Sequence, residues 1–387
     1  MRVLHVAPSI SKSYGGPTQS LAGYLTAAHA AGIDTSVAAP RCDPDEAEYV
    51  SSRINGGTLN LFAAIGSGAF TTSPSLVRWV GRACSSYDVI HVHGLFNPIS
   101  TFSSRSALGR KRPVVIRPFG TLSRYTFQHR RRLLKKVYFR AIERKNVLGA
   151  AALHFTTTGE RDAAGWHAIN FADRAYVIPP PWSAPADRTE LHKIPSTSAL
   201  FLGRLVPVKN VECLLDAWVD VNREVPDAVL EIAGTGDESY VRTLRERAKR
   251  LHVAERINFR GFVSGAEKQR LLSSAAMLVL PSYHENFGIS AIEALAAGVP
   301  VIISPDVQLA EFVRHNDLGR VAAGEPTEFA AAILEVMRNE RIRSRVRTVG
   351  PEILARTFSP HVIGESLCRM YEGAIARTAA SLSTPIA

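Results

Sequence analysis

Residues 281–300 read PSYHENFGISAIEALAAGVP, and the fold turns on how they are parsed. The four residues before them, Met277, Leu278, Val279 and Leu280, form a short apolar run that reads as a buried strand. Pro281 ends that strand. Residues 288–297 then read as a helix, closed by Gly298 and Pro300 in the order usual at a C-terminus. Glu285 falls in the turn and Glu293 inside the helix, eight residues on. At ~1.5 Å per helical residue the two carboxylates lie roughly 10 Å apart. Between them the helix N-terminus offers N–H groups and the positive end of its dipole, which suit a phosphate. A carboxylate on either side of a phosphate site suits hydroxyl-rich groups, a ribose at one end and a sugar at the other. The plain alternative is a solvated helix face carrying two acids.

A chain of 387 residues exceeds one typical core, so two domains are expected. Hydrophobic content of 46% is that of an ordinary globular protein, and no apolar run of 18 residues spans a membrane. The opening MRVLHVAPSI enters a strand at once and lacks a signal-peptide layout. Cys42, Cys84, Cys213 and Cys368 are too widely spaced to form a metal or redox pair, as expected of a reducing cytoplasm. The net charge of +11 calls for anionic partners, whether phosphates, nucleic acid or an anionic membrane face.

Residues 2–7 read as a strand leading into a loop with Gly15 and Gly16, then a helix over about 18–31. This is the opening of a doubly wound domain, without the G-x-G-x-x-G dinucleotide fingerprint. Further strands are expected at 35–39, 58–63, 88–93, 114–117 and 151–156. In D-V-I-H-V-H-G, His91 and His93 share one strand face, with His93 nearest the carboxyl end where ligands of parallel sheets bind. No third ligand is spaced for a metal, so a core role or a ligand contact remain the alternatives. Residues 128–146, QHRRRLLKKVYFRAIERKN, alternate eight Lys and Arg with apolar residues, an amphipathic helix with a single acid, Glu143. Either it docks on the sheet as a surface helix, or Arg130, Arg131, Lys135 and Lys136 face anionic lipid. Proline-rich residues 179–195 read as an interdomain linker. A second strand–helix series begins at Ser198. Its first strand ends at Gly203-Arg204, and Lys209 opens the next helix; a planar fork and a point charge at a strand end suit a diphosphate. Gly234-Thr235-Gly236 follows the next strand as a tight turn, and a last long helix is expected over 360–378, with no structure expected in 379–387.

The 281–300 stretch resembles the E-x7-E signature of retaining, nucleotide-sugar-dependent glycosyltransferases of family 4, with Ser282, Glu285, Phe287, Gly288, Glu293, Ala294, Ala296, Gly298, Pro300 and Val301 matching and Asn286 in place of the usual glycine. Residues 203–210 resemble the family's G-R-L-x-x-x-K-G, with Asn210 in place of the last glycine, and the resemblance extends more weakly over the first half. It implies an α/β GT-B fold of two doubly wound Rossmann-like domains facing a central cleft. Residues 1–184 would form the acceptor side, 185–197 the linker, 198–360 the nucleotide-sugar domain and 361–378 a helix crossing back. It implies transfer of a hexose from a UDP- or GDP-sugar to a growing glycan or polyprenyl-linked acceptor, on the cytoplasmic side of a bacterial membrane, with no cofactor and no metal. Arg204 and Lys209 would neutralise the leaving diphosphate, Glu285 hold the donor sugar and Glu293 the ribose. Gly15, Gly16, Gly203, Gly234, Gly261, Phe262, Phe287, Gly288 and Ile289 would line the donor site, and His93 the acceptor side. At Phe119, where many relatives carry a histidine, this chain reads Pro118-Phe119-Gly120, so no catalytic histidine is implied there. Two other classes fit parts of the pattern. One is a GT-B sugar-nucleotide epimerase, which needs further acid–base groups. The other is a nucleic-acid binder, which needs aromatics among its basic residues; here the basic cluster is one helix, so no nucleic acid is expected.

Overall fold

The computed structural model describes residues 1–11, 14, 16–66, 71–123, 126–127, 132–165, 170–182, 197–285 and 287–383. The chain divides into two compact units, Met1–Trp182 with Phe358–Ala387, and Ser183–Thr357. The first unit therefore ends two residues before the expected boundary, and the returning segment begins at Phe358 rather than at 361. Gly15, Arg130, Arg131, Asn286 and linker positions 185–196 lie outside the described residues.

Unit 1 is built on a seven-stranded sheet in the order β3-β2-β1-β4-β5-β6-β7. Its strands are β1 (Arg2–Val6), β2 (Asp34–Pro40), β3 (Leu59–Phe62), β4 (Val89–His93), β5 (Val114–Arg117), β6 (Ala152–Phe155) and β7 (Ala175–Val177). All pairings are parallel. Parallel strands require crossovers that cover both faces, so β1, β2, β4, β5 and β6 are buried along most of their length, while β3 and β7 at the edges are half-buried. β7 was not expected; at three residues it is too short to leave a pattern. The helix Gly16–Ala30 and the C-terminal helix Pro360–Ser383 pack on each other, and Ile363, Leu367, Met370 and Tyr371 enter the same cluster as Val3, Val89 and Val115. The approach is close because residue 364 is glycine: a Cβ there would lie 2.4 Å from the Ala27 carbonyl oxygen. This helix runs to Ser383, so residues 379–383, expected to lack structure, are helical.

Unit 2 repeats the plan with β8 (Ser198–Leu202), β9 (Val229–Ala233), β10 (Ile257–Gly261), β11 (Met277–Leu280), β12 (Val301–Ile303) and β13 (Gly319–Val321), in the order β10-β9-β8-β11-β12-β13. Again every pairing is parallel. Trp218, Phe201 and Phe329 are among its fully buried side chains. In each sheet the winding reverses between two central strands, β1 and β4 in unit 1 and β8 and β11 in unit 2. At such a switch point the connections diverge and leave a crevice beyond the carboxyl ends of the strands.

The basic segment is not one continuous α-helix. It runs as α-helix over Arg132–Tyr138, as a π-helical turn over Phe139–Glu143 and as α-helix again over Arg144–Gly149. Phe139, Val147, Asn146 and Glu143 are buried. Glu143 accepts hydrogen bonds from the Phe96 amide (2.9 Å), Thr101 Oγ1 (2.6 Å) and Asn146 Nδ2 (3.0 Å). The one acid of the segment is thus a core anchor. Phe139 and Glu143, four residues apart, share the inward face.

Candidate active site

The site in unit 2 grows from its switch point. β8 ends at Leu202, and the backbone of 203–205 runs beside the turn after β9. The Leu205 amide donates to the Thr235 carbonyl at 2.8 Å, and the Gly203 amide to the Ala233 carbonyl at 3.0 Å. A Cβ at residue 234 would lie 1.8 Å from the Gly203 carbonyl oxygen, and one at 236 would lie 1.9 Å from that of Leu205. The G-x-G turn is therefore needed for backbone packing beneath the Gly203-Arg204 corner. Arg204 is exposed at that corner. The chain then makes a 3-10 turn, Pro207–Lys209, and Asn210 adopts φ 52° before the helix Val211–Glu224. Lys209 accordingly ends a turn instead of opening a helix, and Asn tolerates the left-handed conformation that the family's glycine would take.

Beyond β11, the Tyr283 amide donates to the Val208 carbonyl (2.9 Å), tying the Pro281–Glu285 turn to the turn that carries Lys209. Glu285 is fastened on its other side to the segment after β12, its amide to the Asp306 carbonyl (3.3 Å) and its carbonyl from the Gln308 amide (3.1 Å). These ties put the Lys209 ammonium against the Glu285 carboxylate, both mostly buried. Burial, followed by the charge of Arg204, pulls Lys209 down to about 8. Gly288, at φ 83°, is the N-cap of the helix Ile289–Ala296. Its first turn carries Ile289 and, further along, Glu293, which pairs with Lys268 Nζ at 2.6 Å. Gly261 (φ 72°) ends β10 and the exposed Phe262 follows it. The structure thus joins Lys209 with Glu285 and keeps Arg204 within electrostatic reach of Lys209. Two neighbours were missed. Lys268 lies in no motif, and His284, whose imidazole burial pulls down and Lys209 lowers further, stands beside Glu285 in sequence.

In unit 1 the switch-point strands carry histidines. His5 on β1 is in register with His91 on β4, and His93 with Arg117 on β5. His5 Nδ1 lies 3.0 Å from His93 Nε2, His91 Nε2 3.3 Å from His154 Nδ1, and His91 Nδ1 2.9 Å from the Tyr371 hydroxyl of the C-terminal helix. All four imidazoles are buried. Burial first, with neighbouring histidines and Arg117, holds His91 and His93 well below the usual value and His5 at about 3. His93, read from sequence as an acceptor contact, is enclosed in this network. Its third member, His5, is the ligand that spacing along the chain could not supply: nitrogens of His5, His91 and His93 lie within 4.8 Å of one another. Burial and register would let them hold a metal ion, whereas the buried Arg117 cation beside them opposes one. Arg117 is sandwiched between the Tyr24 and Phe119 rings, 4.6 and 4.2 Å from their centroids. Gly16 begins the helix after β1.

Two family models match the chain, one on each unit. "Glycosyl transferase 4-like domain" covers residues 15–181 and "Glycosyl transferases group 1" residues 188–352. The phosphatidyl-myo-inositol mannosyltransferase of Mycobacterium leprae is 35% identical over 178 residues, 45% of this chain and 46% of that protein. The glycosyltransferase MJ1607 of Methanocaldococcus jannaschii is 41% identical over 118 residues, 30% of this chain and 29% of that protein. The chain thus spans about half, or less, of the curated relatives it matches. In fold it is similar to the Anabaena protein Alr3699/HepE, solved in complex with UDP, with a TM-score of 0.75 at 19% identity over 96% of this chain and 100% of that one. A parallel sheet of seven strands and one of six, the arginine, lysine and two glutamates around the second switch point and a family model on each unit agree, and the chain belongs to the group 1, family 4-like glycosyltransferases of the GT-B fold.

Proposed function

We propose that the protein moves a hexose from a UDP- or GDP-sugar to a growing, lipid-linked bacterial surface glycan, with retention at the anomeric carbon. The observation that carries this reading is the switch point of unit 2, where the Lys209–Glu285 pair, Arg204 and the start of the helix bearing Glu293 follow β8 and β11. Charge at the leaving group is a large catalytic term, and Arg204 with Lys209 supplies two cations where other enzymes use a metal ion. As the bond from the anomeric carbon to the diphosphate oxygen breaks, the acceptor oxygen attacks on the same face and its proton passes to the leaving phosphate. Glu285 orients the donor sugar's hydroxyls and Glu293 those of the ribose. Phe287, Gly288 and Ile289 present backbone N–H groups to sugar and phosphate at the helix start.

The lipid-linked acceptor and a place on the cytoplasmic face of the membrane rest on the basic segment. Leu133, Leu134 and Val137 are 71%, 56% and 65% exposed, beside the exposed Arg132, Lys136, Arg140, Arg144 and Lys145. Apolar side chains left in water among cations suit an anionic lipid surface. Lys135, expected to face lipid, is half-buried and donates to the Thr126 carbonyl at 2.9 Å. Among the described residues no helix is long and apolar enough to cross a membrane. A named relative, the phosphatidyl-myo-inositol mannosyltransferase, bears a lipid acceptor in its name.

A panel of nucleotide sugars assayed for transfer and hydrolysis tests the donor. Titration with UDP and GDP separates the two acids. Glu293→Ala should lose nucleotide affinity by about 1.5–3 kcal/mol, the value of a charged hydrogen bond. Glu285→Ala should keep that affinity and lose transfer. The opposite pattern reverses the two roles.

A further inference from the structure

Each glutamate of the 285–293 stretch is met by a lysine from another element. Glu285 takes Lys209 from the turn after β8, and Glu293 takes Lys268 from the helix Gly265–Ser274 that follows β10. Lys268 Nζ lies 2.6 Å from Glu293 Oε1, with the two side chains 21% and 11% exposed. The pair is neither a solvated surface bridge nor a sealed one. Glu293 is short of water yet open along one edge, and its Oε2 makes no hydrogen bond among the described residues.

A vicinal diol is recognised by a carboxylate when both oxygens are presented in one plane. The terminal torsion of a glutamate is broad and sets no such plane by itself. An ammonium on Oε1 narrows that torsion. It also supplies the counter-charge without which a mostly buried carboxylate is costly to keep ionised. One lone pair of Oε1 and all of Oε2 stay available to the ligand.

We propose that Lys268 is the positioning residue of Glu293, setting the carboxylate plane on which discrimination for the ribose hydroxyls depends. This rests on the reading of Glu293 as the ribose acid. Lys268 also joins two elements, the helix that follows the loop carrying Phe262 and the helix that carries Glu293. The nucleoside sugar would thus be read by a pair of residues.

The test is isothermal titration of the full-length protein with UDP and GDP and with their 2′-deoxy counterparts. The quantity read is the affinity ratio of each nucleotide to its deoxy form. Wild type should favour the ribonucleotide by about tenfold or more, as for a charged hydrogen bond. Glu293→Gln should abolish most of that ratio. Lys268→Met should lower it toward one while affinity for the deoxy nucleotide changes by less than about fivefold, or under about 1 kcal/mol. Lys268→Arg should restore it. If Lys268→Met does not fold, Lys268→Gln takes its place. A ratio unchanged in Lys268→Met but lost in Glu293→Gln overturns the positioning role and leaves the ribose acid standing. A ratio that rises in Lys268→Met makes Lys268 a competitor of the ribose and overturns it too. A ratio unchanged in Glu293→Gln, or absent in wild type, overturns the ribose reading and this one with it.

Discussion

Lys209 is the residue on which the chemistry depends most, because it is mostly enclosed whereas Arg204 beside it is exposed. Lys209→Ala should reduce turnover by about two orders of magnitude or more, since an enclosed charge at the leaving group contributes to the transition state and not only to binding. Circular dichroism and melting separate that effect from misfolding; near-normal transfer in a folded variant removes Lys209 from the mechanism. Its titration gives a second reading. With the free protein's ammonium at about 8, the cation is present below that pH and lost above it. Affinity for a nucleoside diphosphate should therefore be flat from pH 6 to 7 and fall above pH 8, by at most about tenfold per pH unit for a single proton. Affinity that instead rises with pH assigns the clamp to another group.

Two elements do work that their hydrophobic pattern alone does not announce. The C-terminal helix Pro360–Ser383 supplies Ile363, Leu367, Met370 and Tyr371 to the core of unit 1. At about 1.5–3 kcal/mol for each large side chain buried, its removal takes away as much as a typical net stability of ~5–15 kcal/mol. A chain ending at Thr357 should fail to give a cooperative melt for unit 1, as judged by calorimetry. Gly364→Val, which crowds the Ala27 carbonyl, should cost at least about 1–3 kcal/mol in urea unfolding. The basic segment 132–149 has a different role. It buries Glu143 and leaves Leu133, Leu134 and Val137 outside. Lys136→Glu, Arg140→Glu, Arg144→Glu and Lys145→Glu together should abolish co-sedimentation with anionic vesicles and leave nucleotide binding intact. Basic residues contribute about 1 kcal/mol each near an anionic leaflet, so wild-type pelleting should weaken with salt. Equal binding to neutral and anionic vesicles, or to neither, excludes the lipid surface.

Across the whole molecule, the two units repeat one architecture with different interiors. Unit 1 buries His5, His91, His93 and His154 as neutral imidazoles around Arg117. A histidine whose folded-state value lies below its unfolded value of 6.5 adds stability that is full above that pH. The contribution is lost as the pH falls toward the folded value, about 3 for His5. Each such group steepens the loss by up to about 1.4 kcal/mol per pH unit. Unit 1 should therefore melt before unit 2 as pH drops from 6.5 toward 4, resolving two calorimetric transitions. His5→Asn should flatten the acid slope of the first by about one proton's worth. A single transition at every pH, or an unchanged slope, would remove the histidine network as the cause.

The run Met277–Leu280, the proline after it and the Glu285–Glu293 spacing were legible in sequence because strand, turn and helix there are decided by neighbours within a few residues. The same holds for β8 with its Gly203-Arg204 corner, and for the parallel doubly wound class, which follows from strands and helices in alternation. Other features depend on partners far along the chain. His5 meets His91 only because β1 pairs with β4, 86 residues away, so the spacing of His91 and His93 contained no third histidine. Lys268 reaches Glu293 because the helices after β10 and β11 lie side by side, and no motif holds it. Gly234 was readable as a turn, but the Gly203 carbonyl that forbids a side chain there belongs to the corner after another strand, β8. Glu143 stood out as the one acid among eight basic residues, yet the donors that satisfy it when buried, Phe96, Thr101 and Asn146, are set by the fold. Local covalent and hydrophobic preferences act over a few residues and are written in the sequence. Burial, register and charge pairing act through space, and they exist only once the chain has closed on itself.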